Sequence, residues 1–89
     1  MFRVRWKRSA LNELAKLWTQ SDSAGRKAIT AASHLIDHEL MDDPENKGES
    51  RPRDRRILHV PPLGVTYHVD PARSLVSVLH VWRFRTKAP

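Results

Sequence analysis

Apolar and polar residues alternate at the start of the chain, where Phe2, Val4 and Trp6 interleave with Arg3, Arg5 and Lys7. A period of two places the apolar set on one face of a β-strand and the bases on the other. The period then lengthens. Leu11, Leu14, Ala15 and Trp18 fall at i, i+3, i+4 and i+7, the stripe of an amphipathic helix, with Ser9 placed to cap its first turn. Gln20-Ser21-Asp22-Ser23 interrupts the stripe, and Asp22 or Ser23 is placed to cap a second helix. There Ile29, Ala32, Ile36 and Leu40 align, with Ala28 and Leu35 widening the apolar face. Both stripes are expected to face a core. A connection this short folds the two helices back on each other as an antiparallel hairpin.

Residues 42–52 hold no apolar residue outside Pro44 and Pro52, which predicts a solvated connection with no regular helix. Three strand-like segments follow: Arg56 to Val60, Val65 to Val69, and Leu75 to Trp82. Pro61-Pro62-Leu63-Gly64 and Asp70-Pro71-Ala72-Arg73 make the turns between them. Turns this short exclude crossovers, so the three strands form an antiparallel meander, and the first strand joins the last one or an edge. The expected fold is α+β, in the order β-α-α-β-β-β, with a helical hairpin on one face of a small, mainly antiparallel sheet. A double-stranded-RNA-binding domain begins and ends with helices, and this order does not.

Eighty-nine residues, 39% of them hydrophobic, support one compact domain spanning 1–89. The chain has no cysteine, which removes disulfides and zinc-thiolate sites and points to a reducing, cytoplasmic setting. The opening residues lack the continuous apolar run of a signal peptide, and no stretch of eighteen apolar residues predicts a membrane span. Charge sharpens the picture. The net charge is +6, but residues 1–8 hold four bases and no acid, residues 9–50 are net acidic, and the bases return in Arg51, Arg53, Arg55, Arg56, Arg73, Arg83, Arg85 and Lys87. If the two basic ends share a sheet, the protein has a basic side that orients it towards a polyanion.

The element order, together with Arg55-Arg56-Ile57-Leu58, Val65-Thr66-Tyr67-His68-Val69-Asp70 and Val76-Ser77-Val78-Leu79-His80-Val81, resembles the RelE/ParE superfamily of toxins from bacterial type II toxin–antitoxin systems. The resemblance covers almost the whole chain. It implies a cognate antitoxin as partner and one of two targets. RelE-like members cut messenger RNA on the ribosome, and ParE-like members poison DNA gyrase by binding.

For the RNA-cleaving branch, the resemblance implies attack by the substrate's own 2′-OH without metal or cofactor. Such attack needs a base, cations on the phosphate and an acid for the leaving oxygen. The candidate catalytic residues are then Glu49 as base, Arg56, Tyr67 and Arg83. The candidate RNA-binding residues are Arg51, Arg53, Arg55 and Arg85, whose guanidinium groups suit phosphate. Arg56 stands at the basic position of the family strand. The chain departs from the nuclease pattern at Gly64, three residues before Tyr67, where RelE-like nucleases carry an arginine. The expected function is RelE-like, ribosome-dependent cleavage of messenger RNA; the Gly64 departure keeps open a ParE-like gyrase poison that acts by binding, or a catalytically inactive relative that binds only antitoxin or nucleic acid.

Three further groups have two readings each. Tyr67 and Trp82 either stack on a base or pack within the domain, Trp82 against Trp6 or Trp18. His59, His68 and His80 fall on three successive predicted strands, where they either pack across strands or converge as an acid–base group or a metal site. His34 and His38 share a helix face at i, i+4, but no third ligand accompanies them, so a solvated face is expected rather than a metal site.

Overall fold

The computed structural model describes residues 1–84. Strand β1 (Arg3–Trp6) leads into helices α1 (Arg8–Thr19) and α2 (Ser23–Asp42), followed by strands β2 (Glu49–Arg51), β3 (Arg55–Val60), β4 (Leu63–Asp70) and β5 (Leu75–Arg83). Short 3-10 turns occupy Pro44–Asn46 and Pro71–Arg73. The sheet order is β1-β5-β4-β3-β2, with β1 parallel to β5 and every other pair antiparallel. Two helices packed on a mixed sheet make the α+β architecture expected from the periodicity.

One strand escapes the sequence reading. Glu49–Arg51 pairs with Ile57–Arg55 as a fully exposed edge strand. It carries no apolar residue because neither of its faces is buried, so hydrophobic patterning leaves no trace of it.

The helix stripes also differ from expectation. Ile29, Ala32, Ile36 and Leu40 of α2 are buried against Val65, Tyr67, Val76 and Val78. Burying an isoleucine or leucine side chain this way stabilises by about 1.5–3 kcal/mol. On α1, however, Ala10 is buried and Leu14 and Leu17 pack against the core, while Leu11 and Trp18 remain 50% and 43% exposed. Leu35 on α2 is 48% exposed. Trp18 therefore does not close the core. The guanidinium of Arg26 lies 4.4 Å from its ring centroid and donates to the Trp18 and Thr19 carbonyls, which closes the end of α1.

Ser9 is not the cap of α1. The helix starts at Arg8, the capping position falls on Lys7, and Ser9 Oγ donates instead to the Leu79 carbonyl 2.9 Å away. One turn on, Glu13 Oε1 accepts from the Val81 N–H at 3.2 Å. Strand β1 pairs β5 only as far as Val78, so α1 supplies the partners that the rest of this strand edge lacks. At the other end of the helical layer, Trp6 Nε1 donates to Asp37 at 2.6 Å and fastens β1 to α2. Asp22, one of the two expected caps of α2, accepts from the Gly25 N–H at 2.8 Å.

Candidate functional site

The face of the sheet turned away from the helices follows from strand register. Arg5 pairs with Ser77, Ser77 with His68, His68 with Arg55, and Arg55 with Arg51. These residues form one rung across all five strands. Because paired residues in a sheet point to the same side, the rung sets three arginines on one surface, one from the basic start of the chain and two from its arginine-rich loop. Ser77 is buried beneath it and its Oγ accepts from Arg5 Nη2 at 3.3 Å.

A groove of about 290 Å³ runs along this end of the face, walled by Arg5, Lys7, Arg53, Arg55, Arg73 and Asp70. His68 forms part of its floor and is shared, with Arg55, by a second hollow of about 350 Å³ that reaches Arg56, Glu45 and Asp54. Asp70 lies 3.7 Å from Arg73 Nε, a loose pairing. Arg53 and Asp54 both have left-handed backbone, with φ of 65° and 59°, in the turn that brings β2 into β3.

Other expected site residues are drawn into a different structure. Arg56 is the partner of Tyr67 across β3 and β4, on the helix side of the sheet. Its Nε donates to the Lys47 carbonyl at 2.7 Å and its Nη2 to the Gly48 carbonyl at 3.3 Å. The buried Tyr67 hydroxyl lies 2.8 Å from both the Pro44 and the Lys47 carbonyl oxygens. Together the two side chains latch the loop that carries the chain from α2 to β2. Burial pushes the Tyr67 phenol above its ordinary range, partly offset by the neighbouring Arg56 guanidinium. Lys47 is held above the usual lysine range by its hydrogen bond to Glu39, 2.6 Å away. Gly48 completes the latch with a φ of 65°, and a side chain there would collide with the Ile57 carbonyl.

Glu49 pairs with Arg51 at 2.7 Å on the solvent-exposed edge strand. Arg83 sits at the last residue of β5, donating to Ser21 Oγ at 3.3 Å, and Arg85 lies outside the described residues. The structure thus gathers Arg51, Arg53 and Arg55 on or beside one surface and places Arg56 and Tyr67 on the opposite side of the sheet. Arg5, Lys7 and Arg73 join the basic surface without having been named as site residues. Alternation already places Arg5 on the non-core face, but its meeting with Arg55 depends on the sheet order.

The opposite end of the open face is aromatic. Trp82 lies across Gly64, so that a Cβ at position 64 would stand 2.7 Å from its Cε2 and Nε1. His59 meets Trp82 and Phe84 edge to face, with centroids 6.2 and 4.8 Å apart. His80 Nδ1 approaches Glu13 at 3.4 Å. The three strand histidines therefore belong to different surroundings, and among the described residues no group of three His, Cys, Asp or Glu side chains is placed to hold a metal. No helix among these residues is long and apolar enough to cross a membrane.

Between α1 and α2, outside the sheet, Leu11, Leu14, Ala15, Trp18, Ile29 and Thr30 line an apolar groove of about 290 Å³.

Two helices over one face of a mixed five-stranded sheet, with the other face open and basic, define the RelE/ParE class of fold. The match is then specific: residues 4–87 fit the family described as the ParE toxin of the type II toxin–antitoxin system, parDE, and the chain belongs to that family. Among solved structures, the chain is similar to the RelBE2 toxin–antitoxin complex of Mycobacterium tuberculosis, at 19% identity and a TM-score of 0.76, covering 93% of this chain and 91% of that one. It is also similar to the chromosomal ParDE system of P. aeruginosa, at 17% identity and a TM-score of 0.66, covering 96% and 98%. The isolated E. coli RelE toxin follows at 18% identity and 0.62, covering 98% and 88%. No curated protein sequence matches the chain. The chain is a toxin of the type II toxin–antitoxin class.

Proposed function

We propose that this toxin acts as a ParE-like poison, by binding DNA gyrase, and is neutralised by a cognate antitoxin. One observation carries the reading: the groups that would perform RNA cleavage are already engaged within the fold. Arg56 and Tyr67 hold the loop carbonyls of Pro44, Lys47 and Gly48. A phosphate-binding cation needs free donors, and Arg56 directs its Nε and Nη2 donors at these carbonyls. The position of the nuclease arginine is Gly64, roofed by Trp82. A poison that works by binding needs none of these groups.

The antitoxin finds its apolar contact in the groove between α1 and α2, where Leu11 and Trp18 are half exposed. A groove of this shape accepts the apolar stripe of an amphipathic helix. Trp18→Asp is expected to weaken antitoxin binding at least tenfold while leaving the isolated toxin folded.

The test is expression of the chain alone and together with its neighbouring gene. Growth arrest relieved by the neighbour is expected. Purified toxin should then inhibit supercoiling by gyrase and trap cleaved DNA, with no new 5′ ends in messenger RNA by primer extension. New ends beside unaffected gyrase would overturn the reading in favour of ribosome-dependent cleavage, and absence of arrest at every expression level would overturn toxicity itself.

A further inference from the structure

The chain has two methionines, Met1 and Met41, and folding brings both to one hollow outside the core. The Phe2 N–H donates to the Met41 carbonyl at 3.1 Å and fastens the start of β1 to the end of α2. Met1 is the next residue along, about 3.8 Å from Phe2 between Cα atoms, so its side chain reaches the Met41 side chain. His38, Met41 and Asp42 fall at i, i+3 and i+4 on one face of α2, and with Met1 they line a hollow of about 460 Å³. The hollow belongs to neither the latch, the open basic face nor the groove between the helices.

The electrostatics there run against the rest of the molecule. A helix carries partial negative charge at its C-terminal end, and the 20-residue α2 ends at this hollow without a base in its last turn. Asp42 and Asp43 add two carboxylates. Lys47, which both of them attract, is already bonded to Glu39 at 2.6 Å. In a chain of net charge +6, this corner favours a cation.

We infer that the hollow is a binding site for a soft monovalent metal ion, copper(I), held by the thioether sulfurs of Met1 and Met41 and an imidazole nitrogen of His38, with Asp42 supplying negative charge. The donor set selects the ion. Thioethers are soft ligands that suit copper(I), and imidazole suits copper as well. Magnesium and calcium take oxygen ligands, of which the lining side chains offer only the Asp42 carboxylate. Zinc takes thiolate, imidazole and carboxylate, so His38 and Asp42 would fill half of a tetrahedral shell. Met1 is 95% exposed, which leaves its side chain free to close over the ion. The sequence conceals this set because His38 has no third His, Cys, Asp or Glu partner beside it, and the remaining donors are thioethers, one of them from before β1.

Methyl-labelled methionine tests the site in the purified full chain, since two methionines give two signals and Met41→Leu assigns them. Silver(I) is soft and monovalent like copper(I) and keeps its oxidation state. One equivalent should move both methyl signals and the His38 ring signals, and should raise the melting temperature, as a ligand of the folded state does. Met41→Leu and His38→Gln, each shown to be folded by circular dichroism, should weaken silver(I) binding at least about tenfold. Copper(I), delivered from its bicinchoninate complex, should displace silver(I), and zinc(II) or magnesium(II) should leave both methyl signals in place. Movement of the Met1 signal alone would show an exposed thioether acting by itself and would overturn the site, as would unchanged silver(I) affinity in the two folded variants. Failure of copper(I) to displace silver(I), or zinc(II) bound as tightly, would overturn the choice of ion.

Discussion

Gly64 and Trp82 are cross-strand partners whose contact leaves no room for a side chain at position 64, since a Cβ there would lie 2.7 Å from the indole Cε2 and Nε1. The packing of the sheet thus leaves no space for a side chain at the position where the resemblance implies a nuclease arginine. Restoring it requires changing both residues.

Gly64→Arg alone is expected to destabilise the domain by about 1–3 kcal/mol, as overpacking does. Combined with Trp82→Ala, which vacates the space, the loss should fall short of the sum of the two single changes. Urea unfolding of the four proteins measures the coupling. Strict additivity would show that the two side chains do not compete for the same volume.

Arg56 and Tyr67 converge on the Lys47 carbonyl, one from 2.7 Å and the other from 2.8 Å. Arg56→Ala and Tyr67→Phe should each cost about 1–3 kcal/mol, because each leaves a loop carbonyl short of a donor. The pair should couple through their shared acceptor. A melting temperature unchanged in Arg56→Ala would release this arginine from the latch and return it to the list of free cations.

The latch should also weaken in alkali. The Tyr67 phenol is raised in the folded protein above its ordinary value of 10.0, chiefly by burial, so folding favours the protonated form. The stability this contributes is fully present below pH 10 and is lost as pH rises through the higher folded-state value. The advantage of wild type over Tyr67→Phe should therefore be constant at neutral pH and shrink above pH 10. Denaturation of both proteins at several pH values checks this, and an advantage that grows in alkali would contradict the sign.

Glu13 accepts from the Val81 N–H at 3.2 Å where β5 has run past β1. Glu13→Ala should cost about 1–2 kcal/mol by leaving that donor unpaired, and Glu13→Gln should cost less because its amide oxygen still accepts. Hydrogen exchange at the Val81 amide should quicken in the alanine variant and stay slow in the glutamine one. Equal exchange in all three would mean that the edge is protected by something other than this side chain.

The elements with a buried face were legible in the chain, because burial of one face writes a period of two or of 3.6 into the sequence. Thus Phe2, Val4 and Trp6 predicted β1, and Ile29, Ala32, Ile36 and Leu40 predicted the buried side of α2. Where no face is buried, the signal vanishes, and Glu49–Arg51 read as loop although it is a strand. The stripe on α1 misled for a related reason. Periodicity identifies an apolar side but not how far a neighbour covers it, and α2 leaves Leu11 and Trp18 half in solvent.

Patterning by itself determined the α+β class and the two helices packed on a sheet, since each depends on local spacing. Side-chain partnership was decided by tertiary structure. Sequence placed Arg56 and Tyr67 among the candidates for chemistry, and register turned them to the helix side, where the loop carbonyls claim their donors. Sequence left Arg5 some fifty residues from Arg55, and the order β1-β5-β4-β3 set them on one rung. Which distant residues share a face depends on strand pairing, a relation between segments that no local period records.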